Sequence, residues 1–124
     1  MEPSKVLVVD DSKLMHRMYE VMLREYSVVY ALDGQEGLDR LRQEPNIDLV
    51  LLDINMPRMN GLEFLAAAKQ DPALADIPVV IISTAGREED TSRGLEAGAA
   101  AYITKPFRSE EIRGVIDRIG VTRA

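Results

Sequence analysis

Three aspartates in this sequence directly follow apolar runs, where they could take part in metal-ion chemistry. Asp10 and Asp11 follow residues 6–9, and Asp53 follows residues 49–52. If the fold brings the three carboxylates together, they repel one another by roughly 4 kcal/mol per pair at about 4 Å and an effective dielectric of about 20. A cation must then offset that repulsion. Oxygen ligands without histidine or cysteine favour Mg²⁺ over zinc or copper.

A hydroxyl group and an ammonium group follow two later apolar runs. Ser83 and Thr84 come after residues 79–82, and Lys105 comes after residues 101–104. The three aspartates would be balanced by a divalent ion together with the Lys105 ammonium. A nearly neutral site of this kind stabilises the equatorial oxygens of a phosphoryl group in transit. Each residue alone would be a turn residue, a helix cap or a surface charge, but their joint placement indicates phosphoryl transfer.

The elements that must position these groups follow two alternating patterns. Short runs rich in β-branched residues predict strands at Lys5–Val9, Ser27–Ala31, Asp48–Leu52, Pro78–Ile82 and Ala101–Thr104. Continuously apolar runs in the first, third and fourth are typical of strands covered on both faces of a parallel sheet. The second strand is more polar at its flanks, which favours an edge position.

Helical patterns lie between the strands. The first helix begins after a capping serine, Ser12. The others are predicted at Gly34–Leu41, Gly61–Gln70, Arg87–Ala97 and Ser109–Ile119. Five strands alternating with five helices predict right-handed βαβ units. The fold class is therefore α/β, a (βα)5 doubly wound parallel sheet forming one domain over residues 1–124, and in such sheets ligands bind at the carboxyl ends of the strands.

The spacing of apolar residues also predicts which side of each helix faces the core. An apolar stripe on the first helix comprises Leu14, Met18, Val21 and Met22. Core-filling methionines are expected at Met15, Met18 and Met22. Inward-facing residues are predicted in the third helix at Leu62, Leu65 and Ala66, and in the fourth at Leu95 and Ala97. The only histidine, His16, is interpreted as a surface residue without a catalytic role.

The composition narrows the classes of function. A formal charge of −6 and the lack of a Lys/Arg cluster argue against direct binding of nucleic acid. The lack of cysteine excludes disulfides, thiolate metal sites and cysteine nucleophiles. The apolar runs are far shorter than the roughly 20 residues of a membrane span, and the first residues lack the pattern of a signal peptide. We therefore expect a cytoplasmic protein with no membrane partner.

In four stretches the sequence resembles the receiver domain of two-component response regulators. The stretches are residues 6–12, 52–61, 78–85 and 98–107. Each is a weak signal alone, but all four occur in order and at receiver-like spacing, and the resemblance extends over essentially the whole chain. It implies a flavodoxin-like sheet with the strand order 2-1-3-4-5.

The resemblance implies how a metal ion and a phosphoryl group would be held. Asp53 is the nucleophile that becomes aspartyl phosphate, and it also contacts the metal. Asp11 binds Mg²⁺ directly, whereas Asp10 acts mostly through bound water. The backbone carbonyl of Asn55 is a further ligand. Mn²⁺ is a possible substitute for Mg²⁺.

The resemblance also implies a conformational switch. The hydroxyl of Ser83, rather than that of Thr84, donates to one phosphoryl oxygen, and the Lys105 ammonium pairs with another. Tyr102 then moves and changes the surface formed by the fourth helix, the fifth strand and the fifth helix. The peptide bond between Lys105 and Pro106 is commonly cis in this family.

The implied function is a phosphorylation-activated signalling switch, not an enzyme that turns over a separate substrate. Its partners would be a sensor histidine kinase or phosphotransfer protein and, downstream, a protein effector or an output domain missing from this sequence. It would be a monomer or a phosphorylation-dependent dimer. The alternative is an interaction module of the same fold that works without phosphorylation.

Two other classes fit the sequence less well. Aspartyl-phosphate hydrolases usually have a second aspartate two residues after the nucleophile, where this chain has Asn55. Flavin and dinucleotide binders on doubly wound sheets have a glycine-rich phosphate loop after the first strand. Here the first strand is followed by Asp-Asp-Ser-Lys.

Overall fold

Strands and helices alternate along the chain, as the sequence predicts. The computed structural model describes residues 5–44, 46–54, 61–84 and 88–119. Its strands are β1 (Lys5–Val9), β2 (Ser27–Ala31), β3 (Ile47–Asp53), β4 (Val79–Ser83) and β5 (Ala101–Thr104). Its helices are α1 (Lys13–Met22), α2 (Gly34–Gln43), α3 (Gly61–Gln70), α4 (Glu88–Glu96) and α5 (Ser109–Ile119).

The strands form one parallel sheet in the order β2-β1-β3-β4-β5. The predicted order and the edge position of β2 are therefore confirmed. The three central strands are buried over nearly their whole length, as their continuous apolar runs predict. Val9 pairs with Leu52, and Ser83 pairs with Thr104. The carboxyl ends of β1, β3, β4 and β5 consequently lie at one edge of the sheet.

Helices cover both faces of this sheet. Successive residues of β1 point to opposite faces, with Leu7 and Val9 in one apolar cluster and Val6 and Val8 in the other. The first cluster is completed by buried side chains of α2 and α3, among them Leu38, Leu41, Phe64 and Leu65. The second is completed by α1 and α5, through Tyr19, Ile112, Val115 and Ile116. This confirms the doubly wound α/β fold class.

Several element boundaries differ from the predicted ones. β3 ends at Asp53 and β4 ends at Ser83, each one residue later than predicted, because the pairing with the neighbouring strand continues to those residues. α2 continues to Gln43. The predicted start of the fourth helix, Arg87, lies outside the described residues. None of the described helices is long and apolar enough to cross a membrane.

The apolar stripe predicted for α1 is on the wrong side of the helix. Its residues Leu14, Met18 and Val21 are 69%, 45% and 67% exposed. The face that packs on the sheet is a second stripe, with the same helical spacing and shifted by one residue: Met15, Tyr19, Met22 and Leu23. The prediction that methionines fill the core is therefore confirmed for Met15 and Met22 but wrong for Met18. Apolar spacing alone cannot choose between two such stripes.

The predicted inner faces of α3 and α4 are also partly wrong. In α3 the buried residues are Gly61, Phe64, Leu65 and Ala68, whereas Ala66 is exposed. In α4 Leu95 is 46% exposed, and the buried residue is Gly94. A Cβ at Gly94 would lie 2.8 Å from Cδ1 of Ile81. A side chain at position 94 would therefore require the Ile81 side chain to shift.

Candidate metal centre

Three carboxylates meet at the carboxyl edge of the sheet. Asp10 directly follows β1, Asp11 is its neighbour, and Asp53 ends β3. One carboxylate oxygen from each lies within 4.8 Å of the others. Asp10 and Asp53 are buried, with 2% and 8% of their surface exposed, whereas Asp11 is exposed. Two of the charges are therefore largely removed from water and require counter-charges nearby.

Lys105 supplies one of these counter-charges. Its Nζ lies 3.6 Å from Oδ2 of Asp10 and 3.8 Å from Oδ2 of Asp53. The residue follows β5, and its amide donates a hydrogen bond of 2.7 Å to the carbonyl of Ser83. Its peptide bond to Pro106 is cis, in agreement with the resemblance. The ammonium is thus within ion-pair distance of both buried carboxylates.

The charges of this cluster leave a place for a divalent cation. Three carboxylates and one ammonium have two net negative charges. Uncompensated charges among buried groups are costly because the effective dielectric there is well below that of water. Mg²⁺ and Mn²⁺ accept carboxylate oxygens as ligands, and either would supply the missing positive charge. The donor set therefore fits the metal predicted from the sequence.

The chain around Asp10 is fixed by three hydrogen bonds. Its amide donates to the carbonyl of Ala31 at 3.0 Å, and its Oδ1 accepts from the amide of Ser12 at 2.8 Å. The Nε2 of His16 lies 2.7 Å from its carbonyl oxygen. Ser12 is the N-cap of α1, as predicted, and its Oγ accepts from the amide of Met15 at 3.3 Å. This acidic turn, residues 10–12, is therefore tied both to β2 and to the start of α1.

His16 is half-buried, so its interpretation as a simple surface residue is wrong. Its ring stacks on that of Tyr30, with centroids 4.6 Å apart and planes inclined by 30°. Its contact with the carbonyl of Asp10 joins residues six apart in sequence, which is not one of the spacings that define a helix face. One feature of the sequence pointed to this location: His16 lies one helical turn after the N-cap Ser12, which puts it above the acidic turn.

Tyr19 is a second residue near the site that the sequence analysis did not single out. It is buried, and its ring stacks on Phe107 with centroids 6.2 Å apart. Burial raises the pKa of the Tyr19 hydroxyl well above its usual value, and the negative charges of Asp10 and Asp53 raise this pKa further. The hydroxyl therefore stays protonated and adds no negative charge to the cluster.

The two predicted switch residues lie on neighbouring strands. Ser83 ends β4 and is fully buried, whereas Thr84 is exposed. Tyr102, in β5, is half-buried beside α4. A Cβ at Gly94 would lie 3.1 Å from Cδ2 of the Tyr102 ring, so the ring packs directly against the helix backbone. The predicted carbonyl ligand, Asn55, lies outside the described residues.

Comparison with known sequences agrees with the resemblance to receiver domains. Residues 6–117 match the family model described as "Response regulator receiver domain". The phosphate regulon transcriptional regulatory protein PhoB of Klebsiella pneumoniae is 40% identical over 121 residues, which are 93% of this chain and 52% of that protein. Protein PilG of Pseudomonas aeruginosa is 36% identical over 115 residues, 90% of this chain and 84% of PilG. The chain thus spans about half the length of PhoB but most of PilG.

Solved structures show the same fold. The chemotaxis protein CheY4 of Vibrio cholerae superposes with a TM-score of 0.87 at 31% identity, covering 94% of this chain and 98% of that one. The Mn²⁺-bound form of the response regulator Rcp1 has a TM-score of 0.83 at 30% identity, with 98% and 99% of the two chains covered.

Proposed function

This chain belongs to the response regulator receiver family, and from that premise we propose that it is a phosphorylation-activated switch of a two-component phosphorelay. Asp53 accepts the phosphoryl group from a sensor histidine kinase or phosphotransfer protein. The observation that carries the proposal is the surroundings of its carboxylate, which has two further carboxylates within 4.8 Å and the ammonium of Lys105 at 3.8 Å. A carboxylate that accepts a phosphoryl group with the help of a metal ion needs this combination of charges.

The transfer is a single displacement at phosphorus. A carboxylate oxygen of Asp53 forms the new P–O bond of an aspartyl phosphate. The bond from phosphorus to the nitrogen of a phosphohistidine breaks, and that nitrogen keeps the electron pair. The Lys105 ammonium pairs with one phosphoryl oxygen, and the Ser83 hydroxyl donates a hydrogen bond to another. Both groups stabilise charge where it develops.

We assign the metal ligands to the acidic cluster. Asp11 and Asp53 would hold Mg²⁺ directly, Asp10 would act mostly through bound water, and the carbonyl of Asn55 would complete the set from this chain. Mn²⁺ is a substitute, and the Mn²⁺-bound form of Rcp1 supports that choice for this fold. A bound divalent ion neutralises negative charge on the phosphoryl oxygens and on the carboxylates.

Phosphorylation would act on the output surface through Ser83, Lys105 and Tyr102. It replaces one carboxylate charge by roughly −1.5 to −2 and adds three strong acceptor oxygens. Ser83 and Lys105 move toward those acceptors together, since the amide of Lys105 is hydrogen-bonded to the Ser83 carbonyl. The Tyr102 ring then shifts against α4. The changed surface of α4, β5 and α5 binds a downstream effector or an output domain.

The phosphodonor protein would dock beside α1. Its phosphohistidine must reach the carboxyl edge of the sheet, and the exposed side chain of Met18 lines a cavity together with Lys105. This cavity of about 280 Å³ is lined by Met15, Met18, Thr84, Lys105, Pro106 and Phe107. Because this mostly apolar cavity shares Lys105 with the acidic cluster, a protein bound in it has its phosphohistidine close to Asp53.

The proposal is tested by incubating the protein with Mg²⁺ and acetyl phosphate and measuring its intact mass. The expected result is one phosphoryl adduct that requires Mg²⁺ and is absent in Asp53→Asn. If the protein binds Mg²⁺ but forms no adduct with acetyl phosphate or with a phosphohistidine donor, the switch is contradicted. An interaction module that works without phosphorylation would then be the better account.

A further inference from the structure

The carbonyl oxygen of Asp10 is held by a side chain of α1. The Nε2 of His16 lies 2.7 Å from it, at hydrogen-bonding distance. A carbonyl oxygen can only accept, so Nε2 must bear the hydrogen and donate it. The ring cannot easily turn away, because it is half-buried and stacked on Tyr30 with centroids 4.6 Å apart. His16 is thus a fixed donor aimed at the acidic turn.

This hydrogen bond fixes the peptide unit that joins the two aspartates. The carbonyl of Asp10 and the amide of Asp11 belong to one planar group. On its other side, the amide of Asp10 donates to the carbonyl of Ala31 at 3.0 Å. The chain at Asp10 is therefore held from both sides, by β2 and by His16. The Cα of Asp11 belongs to the same planar group. Because the plane is fixed, the position of this atom, which carries the Asp11 side chain, is fixed as well.

Helix formation does not require this contact. The first hydrogen bond of α1 runs from the amide of His16 to the carbonyl of Ser12, two residues after Asp10. The carbonyl of Asp10 precedes the helix and, without the imidazole, would bond to water. The contact is consequently better explained by the geometry of the acidic turn than by the stability of α1.

We propose that His16 is a positioning residue for the metal centre. By holding the Asp10–Asp11 peptide plane, it keeps the exposed carboxylate of Asp11 aimed toward those of Asp10 and Asp53. The Asp11 carboxylate therefore needs little further ordering when Mg²⁺ binds. The inference rests on the proposed function, because it assumes that this cluster holds the ion. Residues that orient metal ligands typically contribute about 10–100-fold to metal affinity.

Two variants separate the hydrogen bond from the other properties of the ring. His16→Phe keeps the stacking on Tyr30 but removes the donor. His16→Gln loses the ring but places an amide N–H close to the position of the imidazole Nε2. Both remove any charge that the imidazole holds, so a loss of affinity that occurs in His16→Phe but not in His16→Gln is due to the donor and not to the charge or the ring. Lys13→Gln, at an exposed position of the same helix, controls for the loss of a nearby positive charge.

The measurement is Mg²⁺ affinity by titration calorimetry, without any phosphodonor, together with the amide resonance of Asp11 in the metal-free protein. We expect the dissociation constant of His16→Phe to rise about 10-fold and its Asp11 resonance to shift. His16→Gln should stay within about threefold of the wild type. If His16→Phe does not fold, His16→Asn, whose amide is too short to reach, takes its place with the same expectation.

The proposal is overturned if the folded donor-free variant binds Mg²⁺ like the wild type and keeps its Asp11 resonance. It is also overturned if His16→Gln loses as much affinity as His16→Phe. These outcomes differ from a failure of the proposed function, which is tested by the phosphoryl adduct of the wild type. A wild-type protein that binds Mg²⁺ but is never phosphorylated contradicts the switch while leaving the role of His16 measurable.

Discussion

Asp10 and Asp11 are neighbours in sequence with different surroundings. Asp10 is buried, accepts a hydrogen bond from Ser12 and lies near the ammonium of Lys105, whereas Asp11 is exposed. The oxygens of Asp10 thus already have partners, and those of Asp11 are more available to an ion. This difference supports the separate roles proposed for the two carboxylates.

We expect Asp11→Ala to weaken Mg²⁺ binding more than Asp10→Ala. The reason is that a direct ligand contributes more than a carboxylate acting through bound water. Titration of each variant with Mg²⁺ by calorimetry gives the comparison. Asp11→Asn is the matched control, because it keeps the volume and one oxygen while removing the charge. A larger loss for Asp10→Ala would show that the assignment is reversed.

Lys105→Met removes the counter-charge of two buried carboxylates. Without metal, we expect the free energy of unfolding to fall by about 1–3 kcal/mol, because both carboxylates lose the nearby ammonium. Saturating Mg²⁺ should reduce that loss, since the ion supplies positive charge to the same carboxylates, and Mg²⁺ should bind more tightly. Urea unfolding with and without Mg²⁺ measures this. An equal loss in both conditions would contradict the shared role of Lys105 and the ion.

At the scale of elements, α1 presents one apolar stripe to the sheet and a second to solvent. Met18 lies in the exposed stripe and lines the cavity shared with Lys105. A charge there should leave the fold intact and disturb only a protein that docks on this face.

We therefore expect Met18→Glu to slow phosphoryl transfer from a phosphohistidine protein by about tenfold or more, the effect of losing roughly 1.4 kcal/mol of docking energy. Its rate with acetyl phosphate, which needs no docking surface, should not change. The two rates are measured on the same preparation by intact mass. Val21→Glu, on the same exposed stripe further along the helix, is the control. Equal slowing with both donors would contradict a docking role and indicate damage to the site.

Gly94 and Gly114 are helical glycines in opposite environments. A Cβ at Gly94 would lie 2.8 Å from Ile81 and 3.1 Å from the ring of Tyr102, whereas a Cβ at Gly114 would meet nothing within 4 Å. Alanine has a higher helix propensity than glycine by up to about 1 kcal/mol, but overpacking typically costs about 1–3 kcal/mol.

We expect Gly114→Ala to stabilise the protein by up to about 1 kcal/mol. Gly94→Ala should destabilise it or leave it unchanged, because overpacking offsets the same gain, and it should displace the ring of Tyr102. Urea unfolding gives the stabilities, and the ring resonances of Tyr102 report its position. Equal stabilisation by both substitutions would show that α4 is not held against Tyr102.

The sequence predicted strands better than helix faces. Continuous apolar runs and the residues that end them located Asp10, Asp53, Ser83 and Lys105 at one edge of the sheet, because parallel strands align their carboxyl ends. Helix faces depend on packing that a single stripe does not determine, hence the errors at Met18 and, in α3 and α4, at Ala66 and Leu95. The position of His16 one helical turn after Ser12 places it near the turn before α1, but its contact depends on how that turn is folded, which the sequence pattern does not determine.

At the scale of the whole molecule, the fold gathers three carboxylates and one ammonium, whose two net negative charges a divalent ion would balance. Aspartates from β1 and β3 and a lysine from β5 converge because the sheet order places β1, β3, β4 and β5 side by side. The amide of Lys105 is hydrogen-bonded to Ser83, and Tyr102 lies on the same strand that leads to Lys105. One strand pair therefore links the site to the surface of α4.

Asp53 is the proposed acceptor of the phosphoryl group, and chemical mapping of the adduct identifies the residue that is modified. The protein is phosphorylated with acetyl phosphate and Mg²⁺, reduced with borohydride, which converts an aspartyl phosphate to homoserine, and digested for peptide mass spectrometry. We predict homoserine at position 53 alone, and none when Mg²⁺ is omitted. Homoserine at another aspartate, or none at position 53 in protein that has bound Mg²⁺, would contradict the account.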